Sequence, residues 1–229
     1  DYMAGEIDKL NNYQNKFIAN VSHDFRSPLT SIKGYLEAML DGTIPPEMYE
    51  KYLNIVLFET ERLNKLTSSL LTLNNMNQGM MLEISDFDVN DVIKKTILTF
   101  EGVCSQKKIQ FNLTFSNKTA FVSADYGKIQ QVIYNLIDNA IKFSNNNSFI
   151  NISTYEKGGK IFISVKDFGI GIPKDSIEKI WDRFYKSDLS RGKDKKGTGL
   201  GLSIVKEILT LHGANYGVES KVGKGTTFR

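Results

Sequence analysis

Between residues 7 and 73 apolar side chains recur at alternating steps of three and four, broken once by "DGTIPPE" at 41–47. Ile7, Leu10, Gln14, Phe17 and Val21, then Leu29, Ile32, Leu36 and Met39, trace one seam. That spacing marks a helix that packs along its length against another. Gly42, Pro45 and Pro46 cannot all lie inside a helix, so the chain turns there. Tyr49, Leu53, Val56, Thr60, Leu63, Leu66, Leu70 and Leu73 then repeat the spacing. Two long helices with a short connection make an antiparallel hairpin. A hairpin alone leaves part of its apolar stripes wet, and a second copy, giving a four-helix bundle, covers them. On this register His23, in "SHDFRSPL", lies off the seam and faces solvent.

"NMNQGMMLE" ends the purely helical region, with Gly79 as a hinge, which divides the chain into residues 1–78 and 79–229. Beyond it strands and helices mix. "MLEISDFDV" and "KIQFNLTF" read as strands around a helix built on Val92, Ile93, Ile97 and Phe100. "TAFVSA" is a short strand, and Asp125 caps a helix from 126 to 143. "FINISTYEK" and "KIFISVKDF", separated by two glycines, form a hairpin of alternating strands. A short helix near 174–182, a charged loop, one more helix and a final hairpin follow. The expected fold class is an α hairpin forming a dimeric four-helix bundle, followed by an α+β two-layer sandwich.

Composition narrows the function classes. A net charge of +3 is too small to argue for nucleic acid. One cysteine, Cys104, excludes an internal disulfide and a multi-cysteine metal site. No window approaches eighteen consecutive apolar residues, and no signal peptide is visible. The chain begins within a helix and stops within a strand, as a piece of a longer protein would.

Three segments carry chemistry. In "NLIDNAIKFS", Asn135, Asn139 and Lys142 form a stripe opposite the apolar face. Such a stripe is either a solvated face or a metal–phosphate site, since amide oxygens ligate Mg²⁺ and an ammonium meets phosphate. In "DFGIGIP" a strand ends at Asp167, and Gly169 and Gly171 allow the backbone close to a ligand. In "KGTGLGLSIVKEI", Gly197, Gly199 and Gly201 open a helix whose N–H groups point toward an anion. Each signal is weak alone. Their order makes them specific together.

In that order the segments resemble the catalytic core of the sensor histidine kinases. "SHDFRSPL" is similar to the family's H box and "NLIDNAIKFS" to its N box. "DFGIGIP" resembles the G1 box, "WDRFYKSD" the F box and "GTGLGL" the G2 box, and the resemblance covers essentially the whole chain. It implies a Bergerat ATPase fold for the second half, with ATP and Mg²⁺ as cofactors. His23 would be the phosphoacceptor, Asp24 its base or orienting group, and Ser27 a positioner of water for dephosphorylating the partner. Asn139 and Asn135 would hold Mg²⁺ and Lys142 would reach phosphate. Asp167 would accept the adenine amino group beside Gly169 and Gly171. Phe184 and Tyr185 would anchor an ATP lid formed by "KSDLSRGKDKKG", whose first residue, Lys186, would meet phosphate as a point charge. Gly197, Thr198, Gly199, Leu200 and Gly201 would line the phosphate chain.

The implied partners are the receiver domain of a response regulator and a second copy through the hairpin, with no nucleic acid. Membrane contact would come only through regions missing from this chain, a cytoplasmic domain of a membrane-bound sensor. Asp24, Ser27, Phe143 and Lys186 stand where Glu, Thr, Tyr and Arg are commoner, which bears on rates. A related ATPase driving conformational change is the first alternative, but it needs a glutamate where Asn135 stands, and an amide is no general base. A nucleotide-binding scaffold is the second. His212, ahead of Gly213 at a helix C-terminus, reads as a structural cation matched to the helix dipole.

Overall fold

The computed structural model describes residues 2–77, 81–187 and 197–229, with side chains described from Asn15 onward apart from Lys16 and Asn77. Gly79 and lid residues 188–196 therefore lie outside the described residues, as do the side chains of Ile7, Leu10 and Gln14. The chain divides into two compact units, the described residues of 1–71 with 196–198, and those of 72–195 with 199–229.

The first unit holds α1 (Tyr2–Leu40) and α2 (Tyr49–Asn77) as far as Leu71, the two helices the spacing requires. Gly42, at φ +77°, ends α1, and the Ile44 N–H reaches back to the Ala38 carbonyl at 2.8 Å. A helix cannot survive past a left-handed glycine bonded this way. A 3₁₀ turn, Pro46–Met48, leads into α2. The Tyr49 hydroxyl donates to the Met39 carbonyl at 2.9 Å, and the Tyr35 and Tyr52 rings meet at 5.2 Å. Met39, Ile44 and Leu66 are buried, while Ile18, Leu29, Leu36, Leu53 and Leu57 stay exposed. One hairpin thus covers only part of its apolar surface. α1 continues through Pro28, whose missing N–H deprives the Asp24 carbonyl of its helical donor.

The second unit has two sheets. β1 (Ile84–Asp88) pairs antiparallel with β3 (Phe121–Asp125). The five-stranded sheet runs β2-β4-β5-β7-β6, from β2 (Gln110–Phe115), β4 (Phe149–Lys157), β5 (Lys160–Asp167), β6 (Val218–Lys221) and β7 (Gly225–Phe228). Among the described residues only β2 and β4 pair in parallel. α3 (Val89–Leu98), α5 (Tyr126–Phe143) and α6 (Gly201–Leu211) supply the helical layer, and α4 (Glu101–Lys107) follows α3 after a break at Thr99–Phe100. The segment near 174–182 is two 3₁₀ turns, Lys174–Ser176 and Lys179–Trp181, rather than one helix.

The core joins Ile133, Ile137 and Ile141 of α5 to Ile150 and Ile152 of β4, Val165 of β5 and Ile204 and Ile208 of α6. Fully burying such a side chain contributes about 1.5–3 kcal/mol. Asn90 is buried in this layer without penalty, because Thr154 donates to its Oδ1 at 2.7 Å and its Nδ2 donates to the Asn117 carbonyl at 3.1 Å.

Candidate active site

In the first unit His23 projects from α1 with 83% of its side chain exposed, and its Nδ1 lies 3.4 Å from Asp24 Oδ1. A carboxylate can only accept, so this contact puts a proton on Nδ1, and in the neutral ring the lone pair is then on Nε2. Ser27 is exposed one turn further along the helix.

In the second unit α5 presents the amide stripe. Its start is fixed by Asp125, whose Oδ1 accepts the Lys128 N–H at 3.0 Å and whose Oδ2 accepts the Glu83 N–H at 3.1 Å. Its far end is capped by Lys107, whose ammonium donates to the Ile141 carbonyl at 2.7 Å. Between them Val132, Ile133, Leu136, Ile137 and Ala140 are buried, so Asn135, Asn139 and Lys142 fall on the other side, half-buried. Lys142 pairs with Asp138 at 2.8 Å. The Asn135 amide nitrogen is buried with no hydrogen-bond partner among the described residues. A donor left dry in this way costs about 1–3 kcal/mol until something accepts from it.

Asp167 ends β5 and is 4% exposed. Its Oδ1 accepts the Gly169 N–H at 2.8 Å and the Thr226 N–H at 3.3 Å, which leaves Oδ2 outside these two bonds. Burial pushes its pKa up, against the pull of those N–H groups. The glycines after it answer first to the protein backbone. A Cβ at Gly169 would run into the Phe143 carbonyl, and one at Gly171, where φ is +69°, into the Lys221 carbonyl. The expectation that these glycines make room for a ligand is thus preceded by a simpler need, room for the chain itself.

The same holds for Gly199. Its φ is +69°, a Cβ there would sit 2.8 Å from the Phe184 Cα, and its carbonyl accepts the Phe184 N–H at 2.9 Å. Phe184 itself has φ +63°, an uncommon value for a side chain of that bulk. Tyr185 donates to Ser176 Oγ at 3.0 Å, which gives it a structural partner in the first 3₁₀ turn. Lys186 is half-buried, and Gly197, Thr198 and Leu200 are buried. Gly201 opens α6 beside α5, where a Cβ would meet Asn135 Oδ1 at an ordinary 3.8 Å. The second unit therefore brings together Asn135 with Gly201, Asp167 with Gly169, and the Gly171 loop with the end of α5.

The family comparisons agree with this layout. Residues 13–79 match the His Kinase A (phospho-acceptor) domain, and residues 124–229 match the histidine kinase-, DNA gyrase B- and HSP90-like ATPases. The sensor histidine kinase WalK of Bacillus subtilis is 34% identical over 99% of this chain, which spans 38% of that relative. The catalytic domain of histidine kinase ThkA superposes with a TM-score of 0.58 at 32% identity, over 64% of this chain and 93% of that one. ThkA in complex with the response regulator protein TrrA gives a TM-score of 0.78 at 28% identity, over 96% of this chain and 61% of that one.

The chain belongs to the sensor histidine kinases. Its ATPase-type unit implies the use of ATP. The chain spans well under half the length of the curated relatives it matches. Among the described residues no helix is long and apolar enough to cross a membrane.

Two features of this kinase escaped the sequence. His212 is no cation: its Nε2 accepts the Asp125 N–H at 3.0 Å while its Nδ1 donates to the Ile208 carbonyl at 2.8 Å. An imidazole that accepts on one nitrogen and donates on the other is neutral, so His212 ties α6 to the start of α5 rather than complementing a dipole. Second, in the last hairpin Ser220 Oγ accepts the Ile172 N–H from the loop after Asp167, and the Thr226 N–H donates to the Asp167 carboxylate. The sequence implies a final hairpin there, but nothing in its pattern says that Ser220 folds inward.

Proposed function

We propose that this kinase transfers the γ-phosphoryl group of ATP to His23 and then passes it to an aspartate on a response regulator. Residues 1–78 would form the dimerisation and phosphotransfer half and 79–229 the nucleotide-binding half. The observation that carries the reading is the presentation of His23, exposed, with Nδ1 held toward Asp24 at 3.4 Å. As Nε2 forms its bond to phosphorus, the bond from phosphorus to the leaving ADP oxygen breaks and the Nδ1 proton moves toward Asp24. A contact of that length in the free protein tightens when substrate arrives.

In the second half Asp167 takes the adenine amino group, and Lys142, Gly199 and Gly201, with Gly197, Thr198 and Leu200, accompany the phosphates. The orphaned Asn135 amide fits such a ligand, since it supplies the donor that phosphate oxygens require. Asn139, with Asn135 beside it, holds Mg²⁺ through amide oxygens, and the ion offsets phosphate charge when bound. Phe184 and Tyr185 root the lid, and Lys186 offers the phosphates a point charge. The exposed Leu29, Leu36, Leu53 and Leu57 support pairing of two hairpins. The TrrA complex of ThkA supports a receiver domain as partner, with Ser27 placing water for the reverse dephosphorylation. Any membrane anchor belongs to parts of the protein outside this chain.

The test is incubation with γ-labelled ATP and Mg²⁺ followed by acid. Wild type should incorporate label that acid removes, as a phosphoramidate does. His23→Gln should incorporate none while binding nucleotide nearly as well. Unchanged labelling of that variant, or acid-stable label, refutes the assignment.

A further inference from the structure

The last hairpin does more than close the sheet edge. Ser220, in β6, accepts the Ile172 N–H at 2.8 Å, lies 2.9 Å from the Gly225 carbonyl and 2.9 Å from Thr226 Oγ1. A serine hydroxyl has one hydrogen and two lone pairs. The Gly225 carbonyl can only accept, so the Ser220 hydrogen goes there. The Thr226 hydroxyl must then be the donor in the Ser220–Thr226 contact, and it fills the second Ser220 lone pair. One arrangement satisfies all three bonds.

That arrangement fixes the polarity of the surroundings of Asp167. The Thr226 N–H and Gly169 N–H are both committed to Asp167 Oδ1, the Ile172 N–H to Ser220, and the Thr226 hydrogen to Ser220. Thr226 is 6% exposed and Asp167 4% exposed, so water does not readily scramble these roles. Lone pairs outside these bonds remain on Asp167 Oδ2, Thr226 Oγ1 and the Gly225 carbonyl, all of them acceptors. Adenine carries an amino donor where guanine carries a carbonyl acceptor. A site end that offers acceptors only pairs with the first and leaves the second facing lone pairs.

We propose that Ser220 is a positioning residue for nucleobase recognition, which it exerts by committing the Thr226 hydrogen and by holding the loop after Asp167. The backbone supports the same role. The Gly223 N–H donates to the Ile170 carbonyl at 2.8 Å, and Gly171 and Gly225 lack the Cβ atoms that would push hairpin and loop apart. Without its Ser220 hydrogen bond the Thr226 hydroxyl can rotate, and it can then donate to a guanine carbonyl. The inference rests on the nucleotide reading of this unit and adds to it the residue that sets the choice of base.

Calorimetric titration of the 229-residue chain with β,γ-imido-ATP and β,γ-imido-GTP, in Mg²⁺, tests it. Ser220→Ala should weaken the adenine nucleotide about tenfold and leave the guanine nucleotide unchanged or tighter, because a misassigned hydrogen bond acts on discrimination. Ser220→Thr, which keeps the hydroxyl, should restore the wild-type ratio. An equal loss for both nucleotides, as a merely structural role would give, overturns the proposal, as does an unchanged ratio. If Ser220→Ala does not fold, Ser220→Cys, whose thiol accepts and donates only weakly, should lower the same ratio by a smaller factor, and a ratio it leaves unmoved overturns the proposal. A wild-type chain that gives heat with neither nucleotide refutes the nucleotide reading itself, before any variant is compared.

Discussion

On α1 the His23 side chain is 83% exposed and touches Asp24 at 3.4 Å, whereas at the end of β5 Asp167 is 4% exposed and receives two backbone N–H groups. On the proposed roles, the difference follows from what each group would have to do. A phosphoacceptor serves two substrates in turn, the nucleotide and the regulator, so it is presented rather than enclosed. A base-reading carboxylate serves one, and its value lies in being held before the ligand arrives. The glycines differ in the same sense. Gly34, on α1, has open space where a Cβ would go, while Gly171 has the Lys221 backbone there.

Substituting those two glycines gives the largest contrast. Gly171→Ala should reduce binding of an ATP analogue by more than about a hundredfold, because the loop must leave Lys221 and lose its φ of +69°. Gly34→Ala should leave binding unchanged and raise stability by about 0.5–1 kcal/mol, the gain of alanine over glycine in a helix. Calorimetry and thermal melts measure the pair. Equal effects would erase the distinction between the two regions.

Asp167→Asn should act with opposite signs on binding and stability. The amide keeps the acceptor for Gly169 and Thr226 but turns the remaining oxygen into a donor, so adenine-nucleotide affinity falls about tenfold to a hundredfold. Burial holds the native pKa of Asp167 above its unfolded value, so the folded state binds the proton more tightly. Its ionisation therefore costs stability as pH rises from the unfolded carboxylate range through the native value. The variant should melt a few degrees higher than wild type at neutral pH, and this advantage should vanish in acid. A lower melting temperature at neutral pH would show that Asp167 is braced for the fold rather than against it.

Asp125 sets the smallest effect and the reverse sign. Burial pushes its carboxyl up, but the N–H groups of Lys128 and Glu83 and the Lys128 charge bring it below the usual value. A depressed native pKa contributes stability above the unfolded pKa and loses it as pH falls through the native one. Asp125→Ala should cost about 1–2 kcal/mol, a typical helix cap, at neutral pH and much less in acid. Melting curves at two pH values check this, and a loss independent of pH would assign the cost to packing.

Local chemistry made much of this molecule legible. Helix α5 begins after Asp125 and ends at Phe143, as a capping aspartate and the amphipathic stripe require, and "DGTIPPE" turns the hairpin where its glycine and prolines stand. What stayed hidden depends on partners distant in sequence. No periodicity says that β1 leaves the main sheet to pair with β3, or that β2 runs parallel to β4. The break at Thr99–Phe100 and the second 3₁₀ turn carry no proline or glycine signal of their own, and Pro173 ahead of the first turn does not distinguish a 3₁₀ turn from a helix. His212 was misread as a cation because its partner, the Asp125 N–H, lies 87 residues away.

The crowding at Gly169, Gly171 and Gly199 bears on how such chains are diagnosed. Each position is occupied by the protein's own backbone, from Phe143, Lys221 and Phe184 respectively. A descendant that had ceased to use nucleotide would still need all three to fold, and would be free to lose His23 and Asn139. The glycine pattern is therefore a marker of architecture, and a survey hunting for inactive relatives should score the histidine and the amides instead.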